Sequence, residues 1–233
     1  MEIKVLDKGF VRLRNISGPT RREGVFDADD VDPAQAARMS FGEMNSDRIR
    51  EEDLRLCNYL MKNWHTGPFE MVEIWLEMKL PIFVARQFVR HRTASINEIS
   101  GRYVTLPEDW YIPEVVGGKA KSNKQGQEDN LGEPMQIWFK ENLNQFCIDS
   151  YEMYLSAMED GVAPEHARMF LHLNHYTHWL WKQDLHNMMH FLALRMDSHA
   201  QVEARAYAQG VYDLLTQFLP ESMKLFDEYR TFK

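Results

Sequence analysis

The stretch MVEIWLEMKL, residues 71–80, decides the fold class of the chain. Apolar side chains occupy every second position, namely Val72, Ile74, Leu76, Met78 and Leu80. Because successive side chains of a strand point to opposite faces of a sheet, this alternation predicts a half-buried β-strand. Pro81 follows and suits the first position of a helix, so a helix is predicted over 81–90.

The segments before this strand predict two further strands and two helices. Residues 2–16 are rich in β-branched and apolar side chains and favour strands, whereas the Gly-, Arg- and Asp-rich residues 17–31 predict a loop. A short helix is predicted over 34–41. Ser46 is a candidate N-cap for a helix that runs to about Trp64, with apolar side chains along one side.

The second half of the chain predicts mainly helices. Glycines and polar residues dominate 113–134, which predicts a flexible loop. A long amphipathic helix is predicted over 135–158, with Phe139, Leu143, Phe146, Cys147 and Tyr154 as its buried side. Residues 171–182 are compatible with a helix or a strand. Two more helices are predicted over 184–196 and 198–219.

Length and composition indicate one soluble domain. The chain has 233 residues, of which 44% are hydrophobic and 27% charged, close to an average globular protein. A chain of this size buries enough surface to fold without a disulfide or a metal. Strands mixed with helices, without a linker, predict a single α+β domain over 1–233, a mixed sheet packed with several helices.

Charge and cysteine content exclude several classes of function. The net charge of −8 argues against a general nucleic-acid binder or a binder of anionic membranes. No apolar run approaches the ~20 residues that cross a bilayer. Cys57 and Cys147 are the only cysteines, which excludes a disulfide framework and is typical of a reducing cytosol. We therefore expect a cytoplasmic protein.

The densest polar stretch is RQFVRHRTASINEISGRY, residues 86–103. It has four arginines and one acidic residue, Glu98, and so a local charge of +3 in an acidic protein. Short polar groups, including Ser95, Asn97 and Ser100, alternate with the arginines. Such hydroxyl and backbone N–H groups are suited to hold a phosphate that arginines neutralise. A solvated basic helix and loop would not need these short hydrogen-bonding groups.

This stretch also carries a family signature. Residues 90–103 fit RHRxxSxNExSxRY at all its specified positions, and this pattern resembles that of the flavin-dependent thymidylate synthases of the ThyX type. His65-Thr66-Gly67-Pro68-Phe69-Glu70, the helix segment 81–87, Arg168 and residues 194–201 are similar to further segments of the family. The resemblance covers most of the chain.

The resemblance implies a fold, an activity and an assembly. The family fold is α+β, and the enzyme is a homotetramer whose active sites are shared between chains. The family converts dUMP to dTMP with methylenetetrahydrofolate as the carbon donor. FAD relays the reducing equivalents that NADPH supplies. No enzyme cysteine is needed as a nucleophile.

The resemblance also implies roles for individual residues. Flavin contacts would come from His65, Arg90, His91, Arg92, Glu98 and His190. Nucleotide contacts would come from Gln87, Arg90, Glu98, Ile99, Ser100, Gly101, Arg102, Arg168 and Arg195. Arg195 is similar to the arginine that polarises the uracil. Ser100 is a candidate nucleophile or a binding residue, and the first role needs a base within reach.

Three histidines suggest an alternative, a metal-dependent hydrolase. His172, His175 and His178 form H-x2-H-x2-H, and His186 and His190 are four residues apart. However, no His-Glu-x-x-His motif is present. Three-residue spacing also spreads the first three side chains around a helix, so packed core histidines are the favoured interpretation and no metal site is predicted.

Departures from the family pattern favour a second alternative, a protein that binds flavin or nucleotide without catalysis. Gly67 stands where Ser or Thr is usual, and Asp184 and His186 stand where Asn and Arg are usual. Such a protein would keep arginines for phosphates but would not need Arg195.

The third alternative is the classical thymidylate synthase, which uses a cysteine nucleophile. Cys57 and Cys147 both fall in apolar helix stripes without an adjacent activating residue. A thiol in apolar surroundings has a raised pKa and is inert. The cysteine mechanism is therefore disfavoured.

Overall fold

The computed structural model describes residues 1–20, 28–42, 49–119 and 127–230. Seven strands lie in these ranges: β1 (Glu2–Val5), β2 (Gly9–Ser17), β3 (Glu73–Pro81), β4 (Ser95–Glu98), β5 (Gly117–Lys119), β6 (Gln127–Asn130) and β7 (Tyr176–Asp184). The described α-helices are α1 (Asp32–Arg38), α2 (Arg50–Lys62), α3 (Ile82–Phe88), α4 (Glu133–Glu159), α5 (Pro164–Ala167), α6 (Leu185–Arg195), α7 (Val202–Phe218) and α8 (Pro220–Tyr229).

A five-stranded sheet in the order β1-β2-β3-β7-β4 organises the domain. All of its neighbouring strands are antiparallel, so the prediction of a mixed sheet was wrong. The α+β class itself is confirmed. Strands β1 and β2 form a hairpin, which makes this pair antiparallel. Strand β7 runs in the direction opposite to β3 before the chain enters α6.

The predicted central strand and its buried face are confirmed. Apolar side chains of β3 are completely buried, namely Ile74, Leu76, Met78 and Leu80. They belong to the same core cluster as residues of α6 and α7. In this cluster the rings of Phe88, Trp181 and Phe191 pack together, with centroids 4.8 Å apart for Phe88–Phe191 and for Trp181–Phe191. This core fixes the ends of α3 and α6, where the functional residues lie.

Helix α3 is shorter than predicted. Pro81 is its N-cap rather than its first residue, and the helix ends at Phe88 instead of Arg90. Phe88 is fully buried, and the chain turns directly after it, with the His91 N–H donating to the Phe88 carbonyl at 3.0 Å. Arg90 therefore does not share a helix face with Arg86 and Gln87.

Helix α4 has the predicted length but not the predicted burial. Only Cys147, Ser150 and Tyr154 are buried on it, whereas Phe146 is 59% exposed and Phe139 and Leu143 are half-buried. The helix is amphipathic. Within one chain, the helices and strands that it contacts most are α5 and the short 3-10 turn at 168–170. Its apolar side therefore lacks cover.

Within the predicted loop 113–134, the described residues contain strands β5 and β6 and the start of α4. The flexibility of this segment stays a prediction.

Most of the remaining elements follow the sequence analysis, although strand β4 was not predicted. The open choice over 171–182 is resolved as a strand from Tyr176, and α8 was not predicted. The helix predicted from Ser46 begins at Arg50, with Ile49 as its N-cap, while Ser46 itself lies outside the described residues. Among the described residues, no helix is long and apolar enough to span a membrane.

Candidate active site

Arg195 is held in a fixed direction at the end of helix α6. Its Nε donates a hydrogen bond to Nε2 of His91 at 3.1 Å, and its Nη2 donates to the backbone carbonyl of Gln87 at 2.9 Å. The side chain is half-buried, and burial lowers its pKa. A guanidinium nevertheless stays charged in proteins. The site thus contains a permanent cation with a defined orientation.

His91 is a neutral partner for this cation. The residue is only 9% exposed, and burial, followed by the charges of Arg195 and His190, lowers its pKa to about 4. Because Nε2 accepts from an N–H of Arg195, the imidazole proton resides on Nδ1. The resemblance implied a flavin contact for His91, whereas the structure places its Nε2 on Arg195.

Gln87 and His190 complete this cluster. The Gln87 side chain donates to Oε1 of Gln201 at 2.5 Å, which ties α3 to the start of α7. His190 is exposed on α6, with its ring centroid 6.3 Å from that of His91. Four of the predicted site residues, Gln87, His91, His190 and Arg195, are therefore brought together by the packing of α3 against α6.

A second group of predicted residues lines a pocket of about 320 Å³ at the end of β4. The predicted members are Glu98, Ile99, Ser100, Gly101 and Arg168. Strand pairing positions them, because the Ile99 N–H donates to the His178 carbonyl at 2.8 Å and Thr177 Oγ1 donates to Glu98 Oε1. The pocket has the volume of a small-ligand site.

Gly101 lies where the pocket wall is tight. A Cβ atom at this position would lie 3.0 Å from Cδ1 of Leu106 and 3.4 Å from Cδ of Arg168. A side chain at this position would therefore press on Leu106, whereas its contact with Arg168 would be close to an ordinary van der Waals distance.

Ser100 lies in this pocket without a base. Its Oγ accepts from the Arg102 backbone N–H at 3.3 Å. No imidazole or carboxylate of the described residues is hydrogen-bonded to the Ser100 hydroxyl. This environment is suited to binding an anion or a base edge rather than to generating a nucleophile.

The remaining predicted arginines are exposed. Arg90 and Arg92 are both solvent-exposed, and no described carboxylate forms an ion pair with either. Arg102 pairs with Glu165, Nε to Oε2, at 3.5 Å, and its guanidinium lies 5.7 Å from the ring centroid of Tyr103. Such a surface pair contributes little stability. These cations are available to an anionic ligand.

His65 lies apart from the other predicted residues. It borders a cavity of about 660 Å³ between α1 and α2, and its ring meets that of Tyr59 edge to face at 5.9 Å. This cavity does not include any other predicted site residue. Within one chain, the predicted residues therefore lie in three separate groups, around His65, around Arg195 and around Ser100.

Asp184 and His186 have local explanations. The Asp184 carboxylate caps α6, accepting from the Asn187 backbone N–H at 2.9 Å and from its side-chain amide at 2.7 Å. Its charge is thus directed at the positive end of the helix. Burial lowers the pKa of His186. Neither residue presents an unpaired negative charge to a ligand.

The histidine motif is dispersed in the structure. His178 pairs with Glu77, Nε2 to Oε1, at 2.7 Å on the open face of the sheet, and His172 stacks on Phe146. His175 is buried directly before the start of β7. Among the described residues, no group of three or more His, Cys, Asp or Glu side chains is arranged to hold a metal ion.

Three site residues escaped the sequence analysis. Thr177 anchors Glu98, Gln201 anchors Gln87, and His175 borders the Ser100 pocket. Only the pairing of β4 with β7 and the packing of α3 against α7 place them there. The stretch Ser198–Gln201 gave a hint through its family resemblance, but no local pattern indicated Thr177.

Comparisons with known proteins match nearly the whole chain to one family. A family described as thymidylate synthase complementing protein matches residues 25–221. A flavin-dependent thymidylate synthase of Thermus thermophilus is 45% identical over 229 residues, which are 98% of this chain and 79% of that protein. One of Ehrlichia ruminantium is 44% identical over 230 residues, which are 98% of this chain and 73% of that protein.

A solved structure shares the fold. It is that of a UMP/dUMP methylase, PolB, from Streptomyces cacaoi bound with 5-Br dUMP. It superposes with a TM-score of 0.81 at 25% identity, covering 97% of this chain and 98% of the other.

Proposed function

This chain belongs to the family of flavin-dependent thymidylate synthases, and we propose that it makes dTMP from dUMP without a cysteine nucleophile. The proposed carbon donor is methylenetetrahydrofolate, the proposed flavin is FAD, and NADPH is the proposed reductant. The observation that carries the proposal is the oriented Arg195 guanidinium, which is bound to His91 of the family signature and to the Gln87 carbonyl.

Arg195 is suited to stabilise an electron-rich pyrimidine. Its contacts to His91 and to the Gln87 carbonyl use Nε and Nη2, which leaves Nη1 to face a ligand. Donors that are fixed before the reaction stabilise developing charge without a reorganisation cost. A lysine at this position would offer a charge but not the planar fork.

The pocket around Ser100 is suited to the nucleotide phosphate. Arg168 supplies a cation, Ser100 a hydroxyl, and the Gly101 backbone permits close approach. Phosphates prefer such a combination of charged and neutral donors. Ser100 accordingly acts as a binding residue in this proposal, since it has no base among the described residues.

The residues present fit a flavin dinucleotide. Arg90 and Arg92 are exposed cations without a described carboxylate partner, and a pyrophosphate needs such donors. Asp184 does not oppose this, because its carboxylate is bound to the start of α6. When bound, FAD would accept the electrons of the nicotinamide and supply them to the transferred carbon. Arg90, Arg92 and His190 would hold the FAD. His65 would contribute to the same site.

Neither thiol is placed for nucleophilic attack. Cys57 is 1% exposed, and burial raises its pKa to about 12. Cys147 is also buried, and burial raises its pKa. Its Sγ accepts a hydrogen bond from the side-chain amide of Asn174. Neither residue borders the Ser100 pocket. These observations support a mechanism that activates the pyrimidine without a thiol.

A homotetramer with shared active sites is part of the proposal. The predicted ligand groups lie in three separate places of one chain, at His65, at Arg195 and at Ser100. A second copy would allow places on different chains to complete one site. The uncovered apolar side of α4 offers a contact for such a copy, and closed symmetry is the usual outcome.

The partners follow from charge and cysteine content. We propose small-molecule substrates, no nucleic acid and no membrane partner, since the net charge is −8. A cytoplasmic location is proposed from the two free cysteines.

A product assay with omissions tests the proposed function. The purified protein is incubated anaerobically with FAD, dUMP, methylenetetrahydrofolate and NADPH, and dTMP is measured by chromatography. We expect dTMP only in the complete mixture and a flavin absorption band after reconstitution. A protein that binds flavin but forms no dTMP would instead be a non-catalytic binder.

A further inference from the structure

His91 and Arg195 form a contact between segments that are 104 residues apart in the chain. The acceptor atom Nε2 and the donor atom Nε are 3.1 Å apart, within normal hydrogen-bond geometry. The His91 ring is fixed by Phe191, with ring centroids 5.1 Å apart at an interplanar angle of 78°. The imidazole is therefore held rigidly from α6 and presents one nitrogen to the guanidinium.

We propose that His91 is a positioning residue that orients the Arg195 guanidinium toward the pyrimidine by accepting a hydrogen bond from its Nε. The consequence for catalysis rests on the proposed function, whereas the contact itself does not. Flavin binding is then not the main task of His91, although the family signature places it between Arg90 and Arg92.

Two contact points are needed to fix a planar group. The Gln87 carbonyl binds Nη2 and by itself leaves the guanidinium free to swing about that bond. The bond from Nε to His91 stops this rotation, so Nη1 keeps one direction. A misplacement of about 1 Å can cost on the order of 10² in rate. Losing His91 should therefore reduce the rate while Arg195 itself remains.

The role requires a neutral imidazole. A protonated ring has no lone pair at Nε2 and would repel the guanidinium. The charged and titratable groups that act on His91 are Arg195 and His190, both on α6, and both favour the neutral form, as does burial. No acidic side chain contributes to the His91 environment. The contact is thus maintained throughout the neutral pH range.

A double-mutant cycle on the rate of the chemical step separates this role from others. Single-turnover dTMP formation is measured for the wild type, His91→Leu, Arg195→Ala and the double variant, each saturated with FAD. We expect His91→Leu to slow the reaction about 10–100-fold in the wild-type background. In the Arg195→Ala background the same change should cost less than about twofold, because its effect passes through Arg195.

Two variants complete the design. His91→Gln keeps a side-chain oxygen that can accept from Nε, so most of the lost rate should return. His166→Leu is the matched control, since His166 is exposed on α5 and belongs to none of the site groups, and it should leave the rate unchanged. Equal losses from His91→Leu in both backgrounds, or no loss in either, would overturn the positioning role. A weaker FAD affinity with an unchanged rate would likewise overturn it and favour a flavin contact.

A spectroscopic measurement tests the contact independently of the activity. Histidines labelled with ¹³C at Cε1 are titrated by NMR in the wild type and in Arg195→Ala. The His91 resonance should stay unprotonated down to about pH 5 in the wild type and titrate at higher pH once Arg195 is removed. An unchanged titration would overturn the contact, even if the wild type formed no dTMP and the proposed function failed.

Discussion

The α6 side of the sheet and the α4 arm both carry large apolar side chains but differ in what covers them. We define the α4 arm as β5, β6 and α4. On the α6 side, apolar residues such as Phe191 and Leu192 are completely buried. On the arm, the exposed fractions lie between 48% and 59% for Met135, Ile137, Trp138, Phe146 and Met153.

This difference separates what one chain completes from what it leaves for a neighbour. The α6 side positions Arg195 with contacts from its own chain, so the chemical group is already oriented. The arm exposes several large apolar side chains along one helix, and such surfaces mark protein contacts. We therefore expect substitutions on the α6 side to change chemistry, and substitutions on the arm to change assembly.

The largest effect should come from Arg195→Ala on the α6 side. Removing one oriented donor typically costs ~10²–10³ in rate. Single-turnover dTMP formation should fall by this factor, while flavin stays bound and is still reduced by NADPH.

Ser100→Ala supplies the comparison for that variant. Because Ser100 lacks a base among the described residues, its loss should act through dUMP binding and keep measurable turnover at saturating dUMP. An inactive Ser100→Ala variant beside an active Arg195→Ala variant would reverse the two roles and bring back a serine nucleophile.

On the arm, Phe146→Glu should weaken the assembly. A carboxylate on the apolar side of α4 would be desolvated in any contact with a second copy, at a cost of several kcal/mol. Light scattering at micromolar concentration should show a tetramer for the wild type and smaller species for the variant. Thr216→Glu, on an exposed position of α7, is the control and should stay tetrameric. A monomeric wild type would contradict the account of the arm.

His175 lies where the two regions meet, and it should make stability depend on pH. It borders both the Ser100 pocket and a small void beside Cys147 of α4. Burial has the largest influence on the pKa of His175, which is lowered to about 4. Smaller influences come from Asp109, which raises the pKa, and from His172 and Lys8, which lower it. The unfolded chain titrates near its ordinary value of about 6.5. Between pH 6.5 and 4 the unfolded state therefore binds the extra proton.

The sign follows from that difference in bound protons. The free energy of unfolding should rise with pH across this window, and the contribution is lost as the pH falls toward 4. His175→Gln should remove roughly 1–3 kcal/mol of the pH-dependent change. Urea denaturation at pH 7, 6, 5 and 4.5 measures it. An unchanged slope in His175→Gln would show that His175 titrates normally.

The smallest effects should come from the two cysteines, one in each region. Cys57 belongs to the main core, and Cys57→Ala should lower the free energy of unfolding by about 1–2 kcal/mol. Cys147 lies on the arm, outside that core, and Cys147→Ala should cost less than about 1 kcal/mol. Both variants should retain turnover. A folded variant with abolished turnover would point to a thiol mechanism.

Local patterns predicted most of the elements, but not what packs against them. The alternation of residues 71–80 predicted β3 and its buried face, and the periodicity of 184–196 predicted α6, because both depend on neighbours in sequence. The burial of α4 was predicted wrongly. Amphipathicity shows that a helix has an apolar side, not whether its own chain covers it.

The candidate site shows the same limit. The family signature identified Arg90–Tyr103, and resemblance identified Arg195, but neither indicated that His91 binds Arg195. The end of α3 at Phe88 also followed from burial in the core rather than from helix propensity. Contacts over such sequence distances require the sheet order, which no local pattern contains.

The central claim is that this chain makes dTMP with electrons from a bound flavin and without a thiol. Its most direct test is the dTMP yield of one anaerobic turnover. The Cys57→Ala and Cys147→Ala double variant, loaded with FAD and reduced by NADPH, is mixed with dUMP and methylenetetrahydrofolate. A methylene carbon needs one electron pair to become a methyl group, so we expect close to one dTMP per reduced flavin, with tetrahydrofolate as the folate product. A folded, flavin-loaded double variant that forms no dTMP, beside an active wild type, would contradict the account.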